Sequence, residues 1–262
     1  MILITGANGF VGHRLIETLK DAVPAPSLRN ATQDDIKRII EESGADVIIH
    51  TAAIADIETC QSNPDMSYFA NVQIPLYIAK ASKGKKLICF SSDQVYSACS
   101  EEGPYSEDVA NPGNVYASHK LEMEQRVLDI LPSSVMLRAE WMYDMHSHKG
   151  NYFTNLLNAK KSVAFSSSQY RGITYLKEVA ENMEKVIALP GGVYNFGSET
   201  TQSMYEITKE FIGILKKDIV VEDAPIGHNL WMNCEKAKRH GIEFSEVLTG
   251  LIRCAKDYKI IE

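Results

Sequence analysis

The chain has 262 residues, of which 45% are hydrophobic and 23% are charged, and its formal net charge is −7. This is the composition of a globular protein with a sizeable core, which argues against disorder. The negative charge argues against nucleic acid as a partner, because an acidic chain gains nothing from the release of counterions.

Membrane and metal-binding classes are also disfavoured. No apolar run approaches the roughly 18 residues that cross a bilayer, and the first residues lack the basic start and long apolar stretch of a signal peptide. The five cysteines include no C-x-x-C pair and, together with the scattered histidines, no zinc spacing. We therefore expect a cytoplasmic protein with free thiols, no metal and no membrane partner.

Strand and helix patterns alternate through the first half of the chain. Residues 46–50 form an apolar run without a polar face, which is typical of a parallel strand covered by helices on both sides. The predicted strands are residues 2–4, 46–50, 86–90 and 134–137, and the predicted helices are residues 14–20, 34–43, 65–82 and 116–131. This order predicts an α/β fold with a Rossmann-like, doubly wound parallel sheet. Pro24 and Pro26 restrict any strand near them to a short or edge strand, so we expect a shortened second-strand region.

The pattern is looser after Tyr143. Helices are predicted at residues 152–160, 176–189, 203–216, 235–240 and 246–256, and strand-like pieces at residues 163–165 and 193–196. We therefore expect an NAD(P)-binding Rossmann domain over residues 1–143. A small α/β substrate lobe is expected over residues 144–262, with some segments returning to the first domain.

A glycine-rich turn lies between the first strand and the first helix. Gly6, Gly9 and Gly12 form a G-x-x-G-x-x-G pattern. Glycines let the backbone approach a pyrophosphate, and the helix N-terminus supplies free N–H groups. The pattern predicts dinucleotide binding, although such a turn can also serve packing alone. No carboxylate lies between residues 22 and 31, so Arg14 or Arg29 could pair with a 2′-phosphate or remain surface charges. This favours NADP(H) and leaves NAD(H) open.

A second motif places a phenol and an amine on one helix face. Tyr116 and Lys120 form Y-x-x-x-K inside a predicted helix, so both side chains can reach one site. A nearby cation is expected to lower the pKa of the tyrosine and make it a general acid for a ketone oxygen. Ser92 follows a buried strand, where such sheets place their sites, and could donate to the same oxygen. The alternatives are surface residues and a turn-forming serine.

Seven motifs occur in a fixed order along nearly the whole chain. They are Gly6 to Gly12, Thr51-Ala52-Ala53, Asn71-Val72, Ser91-Ser92-Asp93, Asn114 to Lys120 (N-x-Y-x-x-x-K), Leu137 to Tyr143 (L-R-x-x-W-x-Y) and Ser168 to Tyr175. This ordered set resembles the dTDP-4-dehydrorhamnose reductases and their relatives in the extended short-chain dehydrogenase/reductase family.

The motifs and the resemblance together give a set of candidate site residues. The predicted catalytic residues are Tyr116, Lys120 and Ser92. The predicted cofactor site comprises Gly6, Asn8, Gly9, Phe10, Val11, Gly12, Arg29, Ala52, Ala53, Asn71, Ser91, Tyr116 and Lys120. The predicted substrate contacts are Ser92, Asp93, Gln94, Trp141, Asn151 and Arg171. Trp141 could instead be a core residue, Arg171 could grip a nucleotide diphosphate, and Arg138 is expected to pair with a buried carboxylate or carbonyl.

The resemblance implies transfer of hydride from NAD(P)H to the C4 ketone of a keto-sugar nucleotide, with Tyr116 as the general acid. It implies a nucleotide-sugar substrate and allows a homodimer. The sequence departs from the reductase pattern at Gln94, where Tyr is common, and at Ser168 and Ile173. Sugar-nucleotide dehydratases carry Asp-Glu where this chain has Asp93-Gln94, and an amide cannot act as that acid. The alternatives are an epimerase and a cofactor-binding regulatory subunit without turnover.

Overall fold

The computed structural model describes residues 1–146, 150–225 and 229–262. Its strands are β1 (Ile2–Thr5), β2 (Ala22–Pro24), β3 (Val47–His50), β4 (Lys86–Ser92), β5 (Val135–Ala139), β6 (Trp141–Tyr143), β7 (Ser162–Phe165), β8 (Ile173–Tyr175), β9 (Gly192–Phe196) and β10 (Val220–Asp223). Its helices are α1 (Phe10–Thr18), α2 (Gln33–Ser43), α3 (Ile57–Ser62), α4 (Pro64–Tyr68), α5 (Ile74–Ala81), α6 (Val115–Ile130), α7 (Tyr152–Asn158), α8 (Leu176–Ala188), α9 (Met204–Ile214), α10 (Glu235–Lys238) and α11 (Val247–Asp257).

A six-stranded sheet has the order β2-β1-β3-β4-β5-β9. β1 pairs in parallel with β2 and β3, and β3 pairs in parallel with β4. The second strand, β2, has only 3 residues and lies at the edge of the sheet. An edge strand tolerates Pro24, which has no N–H to donate to a neighbouring strand. The predicted doubly wound α/β fold with a shortened second-strand region is therefore confirmed.

The predicted long helix at residues 65–82 is interrupted. α4 runs into a π-helical turn over Phe69–Gln73, which is followed by α5. Pro75 has no N–H to donate to the carbonyl of Asn71, so a regular α-helical ladder cannot continue there. The wider turn at this point aims the buried Asn71 side chain inward.

The chain divides into two compact units. Unit 1 comprises residues 1–99, 107–138 and 180–194, and unit 2 comprises residues 100–106, 139–179 and 195–262. The chain thus passes between the units several times, whereas the sequence suggested a division after residue 143. Which of the two binds cofactor and which binds substrate stays a prediction. Among the described residues, no helix has both the length and the apolar character that a bilayer crossing requires.

The core of unit 1 packs α2, α5 and α6 against the sheet. Leu3, Ile48 and Leu87 come from three neighbouring strands, and Ile36 and Met123 come from the helices that cover them. All five are at most 3% exposed. Burial of one such side chain contributes about 1.5–3 kcal/mol, so this layer holds the carboxyl ends of the strands in fixed positions.

The core of unit 2 is aromatic, and it contains an unusual phenol. Tyr143 stacks on Phe153 and Tyr175, with ring centroids 5.9 and 5.8 Å apart. Its hydroxyl is buried and makes no hydrogen bond within the described residues. A buried hydroxyl of this kind destabilises the folded state, because no hydrogen bond offsets the free energy of removing it from water.

Replacing Tyr143 with phenylalanine should therefore leave the free energy of unfolding unchanged or raise it by up to about 1 kcal/mol. Tyr152→Phe is the matched control, because its hydroxyl is buried but bonds Thr208 Oγ1 at 2.7 Å, and it should cost about 1 kcal/mol. Urea unfolding monitored by circular dichroism measures both. Equal destabilisation by the two substitutions would contradict this interpretation.

Candidate active site

The glycine-rich turn packs tightly against the segment that follows β3. Gly6 has φ +74°, and a Cβ there would lie 2.7 Å from Ala52 N. A Cβ on Gly12 would lie 2.3 Å from Gly6 O. The turn is closed by a hydrogen bond from Gly9 N to Gly6 O at 2.8 Å. The first turn of α1 holds no acidic residue, and Gly9 caps it without a side chain. The N–H groups at this end are thus suited to an anion.

Gly12→Ala should destabilise the protein by about 1–3 kcal/mol, because the added methyl group meets backbone atoms that cannot rotate away. The control is Gly213→Ala in α9, where a Cβ would meet nothing within 4 Å. Gly213 is the next-to-last residue of α9, so alanine gains at most the roughly 1 kcal/mol that it has over glycine in a helix interior, and the control should be unchanged or slightly stabilised. Thermal unfolding compares the two, and a neutral Gly12→Ala would show that the turn has room for a side chain.

The two candidate arginines lie in unit 1, on either side of β2. Arg29 is exposed. The side chain of Arg14 on α1 is 21% exposed and lies 3.9 Å from Glu17. Both can be reached from solvent, as a role toward a 2′-phosphate requires.

Asn71 lies in the protein interior and not at the surface. It is fully buried, and its amide accepts from Ile54 N at 3.1 Å and donates to Ile54 O at 2.9 Å. It also donates to Ser67 Oγ at 3.2 Å. In this structure Asn71 braces the loop after Ala53, so any effect on a cofactor would pass through that loop.

The three predicted catalytic residues are brought together in unit 1. Ser92 ends β4, and Tyr116 and Lys120 lie in the first half of α6. The Ser92 hydroxyl lies close enough to Tyr116 to oppose part of the rise in the pKa of its phenol. The ammonium of Lys120 lies 5.8 Å from the centroid of the Tyr116 ring and donates to Phe90 O at 2.8 Å. α6 begins here because Asn114 Oδ1 accepts from Ala117 N at 2.9 Å.

Burial governs the protonation of this group. It raises the pKa of the Tyr116 phenol above its usual value, and Ser92 only partly opposes it. The lowered pKa that the sequence led us to expect for Tyr116 is therefore not found, because desolvation of the phenolate dominates. Burial lowers the pKa of Lys120 to about 8. Tyr116 therefore holds its proton at neutral pH, as an acid must.

Asp93 and Gln94 begin a short 3₁₀ turn directly after Ser92. Asp93 is 2% exposed, and its Oδ1 accepts from Ser92 Oγ at 3.1 Å. Gln94 is 8% exposed, and its Oε1 accepts from Asn114 Nδ2 at 3.3 Å. Gln94 thus contacts Asn114, the residue that caps α6, and this contact links the end of β4 to the start of α6.

Trp141 and Arg171 form a stack within unit 2. Trp141 is 53% exposed, so the alternative reading as a core residue is wrong. The guanidinium carbon of Arg171 lies 4.1 Å from the centroid of the indole ring. Arg171 itself is 2% exposed, and a diphosphate grip would require a more accessible guanidinium. The indole is thus the exposed member of the stack and the guanidinium the buried one.

A cavity of about 520 Å³ in unit 2 is lined by Trp141, Asn151 and Asn155 together with apolar side chains. The Asn151 amide is occupied as the cap of α7, since it accepts from Thr154 N at 3.1 Å and donates to Asp144 O at 2.7 Å. Asn155 follows one turn later and was not identified from the sequence. Its i,i+4 spacing from Asn151 was the available signal.

Ser91 points toward α6. Its hydroxyl donates to Glu124, which also forms an ion pair with Arg138, with a shortest N···O distance of 2.8 Å. The predicted pairing of Arg138 with a buried carboxylate is confirmed. Glu124 was missed because its partners come from other parts of the chain.

Comparison with known proteins identifies the family to which this chain belongs. The profile of the RmlD substrate-binding domain matches residues 1–239. The chain belongs to the RmlD substrate-binding domain family. The predicted resemblance is therefore confirmed.

Two of the relatives to which this chain is similar carry different names. The dTDP-4-dehydrorhamnose reductase of Aggregatibacter actinomycetemcomitans is 26% identical over 245 residues, which covers 86% of this chain and 82% of the relative. Methionine adenosyltransferase 2 subunit beta of Xenopus laevis is 28% identical over 276 aligned positions, which covers 92% of this chain and 82% of the relative.

A solved structure supports the fold. The dTDP-4-dehydrorhamnose reductase of Bacillus anthracis, in complex with NADP, superimposes with a TM-score of 0.87 at 22% identity, covering 98% of both chains. The predicted oxidoreductase class and NADP cofactor agree with the names of the reductase and of this NADP complex.

Proposed function

We propose that this protein is an NADPH-dependent reductase of a keto-sugar nucleotide, similar to dTDP-4-dehydrorhamnose reductase. The single observation that carries the proposal is the group formed by Ser92, Tyr116 and Lys120 at the end of β4. It lies in the same unit as the glycine-rich turn. Open parallel α/β sheets bind their ligands at the carboxyl ends of their strands.

The residues of unit 1 fit a dinucleotide. The glycine turn leaves no room for a side chain at Gly6 or Gly12, and the N-terminus of α1 carries no acidic group. These features suit a pyrophosphate. Arg14 and Arg29 would hold a 2′-phosphate, which favours NADPH over NADH. When bound, NADPH would supply the hydride for the C4 carbon of the sugar.

The side chains of the catalytic group would supply the proton. Negative charge develops on the carbonyl oxygen as the carbon is reduced, and the proton of Tyr116 Oη passes to that oxygen to give the alcohol. The Ser92 hydroxyl, which donates to Asp93 Oδ1 in the structure, would turn its single proton to the same oxygen as a second hydrogen bond. The ammonium of Lys120 stabilises the tyrosinate that remains. The Tyr116 phenol is protonated at neutral pH before the reaction, and its raised pKa makes stabilisation of the tyrosinate by Lys120 more necessary.

Unit 2 offers contacts for the nucleotide sugar. The exposed indole of Trp141 can stack on a planar or apolar face, and Asn155 brings an amide to the adjoining cavity. Gln94 disfavours dehydration, since its amide cannot donate and recover a proton as a carboxylic acid does.

The relative named as a subunit of methionine adenosyltransferase supports a second candidate, a cofactor-binding subunit without turnover. The presence of Ser92, Tyr116 and Lys120 in one group favours the enzyme, because binding alone does not require an acid. An epimerase would use the same group but would consume no net NADPH.

The test is NADPH oxidation with dTDP-4-dehydrorhamnose as the substrate. We expect one NADPH consumed for each alcohol formed, with slower turnover on NADH. Epimerised product without net oxidation would favour the epimerase. Binding of NADPH without turnover on any keto-sugar nucleotide would overturn the enzymatic proposal. The second candidate, a cofactor-binding subunit without turnover, would then be the proposed function.

A further inference from the structure

A buried cluster joins the end of β4 to the middle of α6. Ser91 precedes the catalytic Ser92, and its hydroxyl donates to Glu124 Oε1. Glu124 lies one helical turn after Lys120. Its carboxylate accepts from Arg138 Nη2 at 2.8 Å and from Arg138 Nε at 3.1 and 3.2 Å. Glu124 and Arg138 are 1% and 3% exposed.

The cluster extends to the segment that follows the catalytic strand. Arg138 Nη1 donates to Tyr96 OH at 2.8 Å and to Glu107 O at 2.9 Å. Tyr96 ends the 3₁₀ turn that begins at Asp93. One ion pair thus fixes the strand end, the turn after it and the catalytic helix in a single arrangement.

We propose that Glu124 is a positioning residue for the catalytic group, holding the end of β4 through Ser91 and maintaining the charge of Lys120. This inference rests on the proposed function, because it assigns a role in the same reaction. It also reassigns Ser91 from a cofactor contact to a member of this cluster.

The charges around Lys120 explain why a carboxylate is needed there. Lys120 is 2% exposed, and its ammonium faces the thiols of Cys89 on β4 and Cys60 on α3. His50 on β3 also faces it. Burial raises the pKa of Cys89 to about 12 and lowers that of His50 to about 3, so both are neutral at pH 7. Glu124, on the same helix as Lys120, is the charged group that raises its pKa.

Removal of the Glu124 charge should therefore shift the pH profile. Activity that requires a charged Lys120 is present below its pKa of about 8 and is lost above it. Without the carboxylate, and with the Arg138 cation left nearby, that pKa falls further. The loss should then begin about one pH unit lower. The pKa of Tyr116 is raised, so the phenol does not produce a limb near pH 8.

The experiment compares Glu124→Gln with Glu122→Gln. Glu122 lies on the same helix but is 39% exposed and pairs with the exposed Arg126 at 2.7 Å. Reduction of dTDP-4-dehydrorhamnose is measured across pH. For Glu124→Gln we expect kcat about 10- to 100-fold lower, an alkaline limb moved to lower pH and little change in the KM for NADPH. The control should match the parent protein.

Ser91→Ala provides a second, milder variant in case Glu124→Gln does not fold. If Ser91 acts through the cluster, Ser91→Ala should lower kcat about tenfold and leave the Kd for NADPH unchanged. If Ser91 instead contacts the cofactor directly, Ser91→Ala should bind NADPH more weakly and keep the parental kcat.

Unshifted pH profiles in Glu124→Gln, or loss of NADPH affinity in Ser91→Ala, would overturn the positioning role while the parent enzyme remains active. Absence of turnover in the parent would overturn the proposed function instead. In that case the pH dependence of the Kd for NADPH in the same three proteins still tests the charge of Lys120.

Discussion

Replacing Tyr116 with phenylalanine should lower kcat for dTDP-4-dehydrorhamnose reduction by about 10²–10⁴-fold, the range typical of a lost general acid. Phenylalanine keeps the ring that lies 5.8 Å from the Lys120 ammonium, so the packing of α6 should persist. The Kd for NADPH, measured by fluorescence, should therefore change by less than about threefold. Steady-state kinetics and binding together separate a chemical loss from a binding loss.

The control for Tyr116→Phe is Tyr77→Phe on the neighbouring helix α5, where the phenol carries no proposed chemical role. This variant should keep parental kcat. A Tyr116→Phe protein with more than half of the parental activity would remove the phenol from the reaction. It would then favour a role for the protein that needs no proton donor, such as the cofactor-binding subunit.

The strands of the main sheet could be predicted because their signals are local. β3 and β4 consist mainly of apolar residues, and nearly every position in them is buried. Pro24 and Pro26 predicted that β2 would be a short edge strand. In unit 2, β7 was predicted at residues 163–165, but β6, β8 and β10 could not be read in the same way. β6 and β8 have 3 residues each, too few to show a period, and β10 is mostly exposed.

The meeting of the three candidate catalytic residues was predictable for a similar reason. Tyr116 and Lys120 lie within one helix, and helical spacing alone puts them on one face. Ser92 follows from the rule that sites lie at the carboxyl ends of parallel strands. The pKa of Tyr116 could not be predicted, since it depends on how deeply the phenol is buried.

Contacts between distant segments explain the remaining differences. Nothing near Ser91 or Glu124 in the sequence indicates that they meet, because they lie 33 positions apart and Arg138 comes from another strand. The contact of Asn71 with a cofactor stays a prediction, whereas its hydrogen bonds to the backbone of Ile54 could not be foreseen. Polar side chains that satisfy buried backbone groups look like binding residues in a sequence, because both roles require the same atoms.

Arg138→Met should lower the free energy of unfolding by about 3–5 kcal/mol, the cost of leaving a buried charge without its partner. Burial lowers the pKa of Arg138, but the hydrogen bonds and charge of Glu124 more than offset this and raise it. Methionine fills a similar volume without replacing these bonds. The control is Arg126→Met, which breaks the exposed pair with Glu122 and should cost less than about 1 kcal/mol. Urea unfolding measures both.

The double variant Glu124→Leu/Arg138→Met separates stability from positioning. Apolar replacement of a whole buried pair is often neutral, so most of the lost unfolding free energy should return. If Glu124 also maintains the charge of Lys120, kcat should stay low in this stable protein, since no carboxylate faces the ammonium from α6. Recovery of both stability and kcat would reduce the ion pair to a packing element. Failure to recover stability would show that the bonds to Tyr96 and Ser91, and not the unpaired charge, dominate the cost.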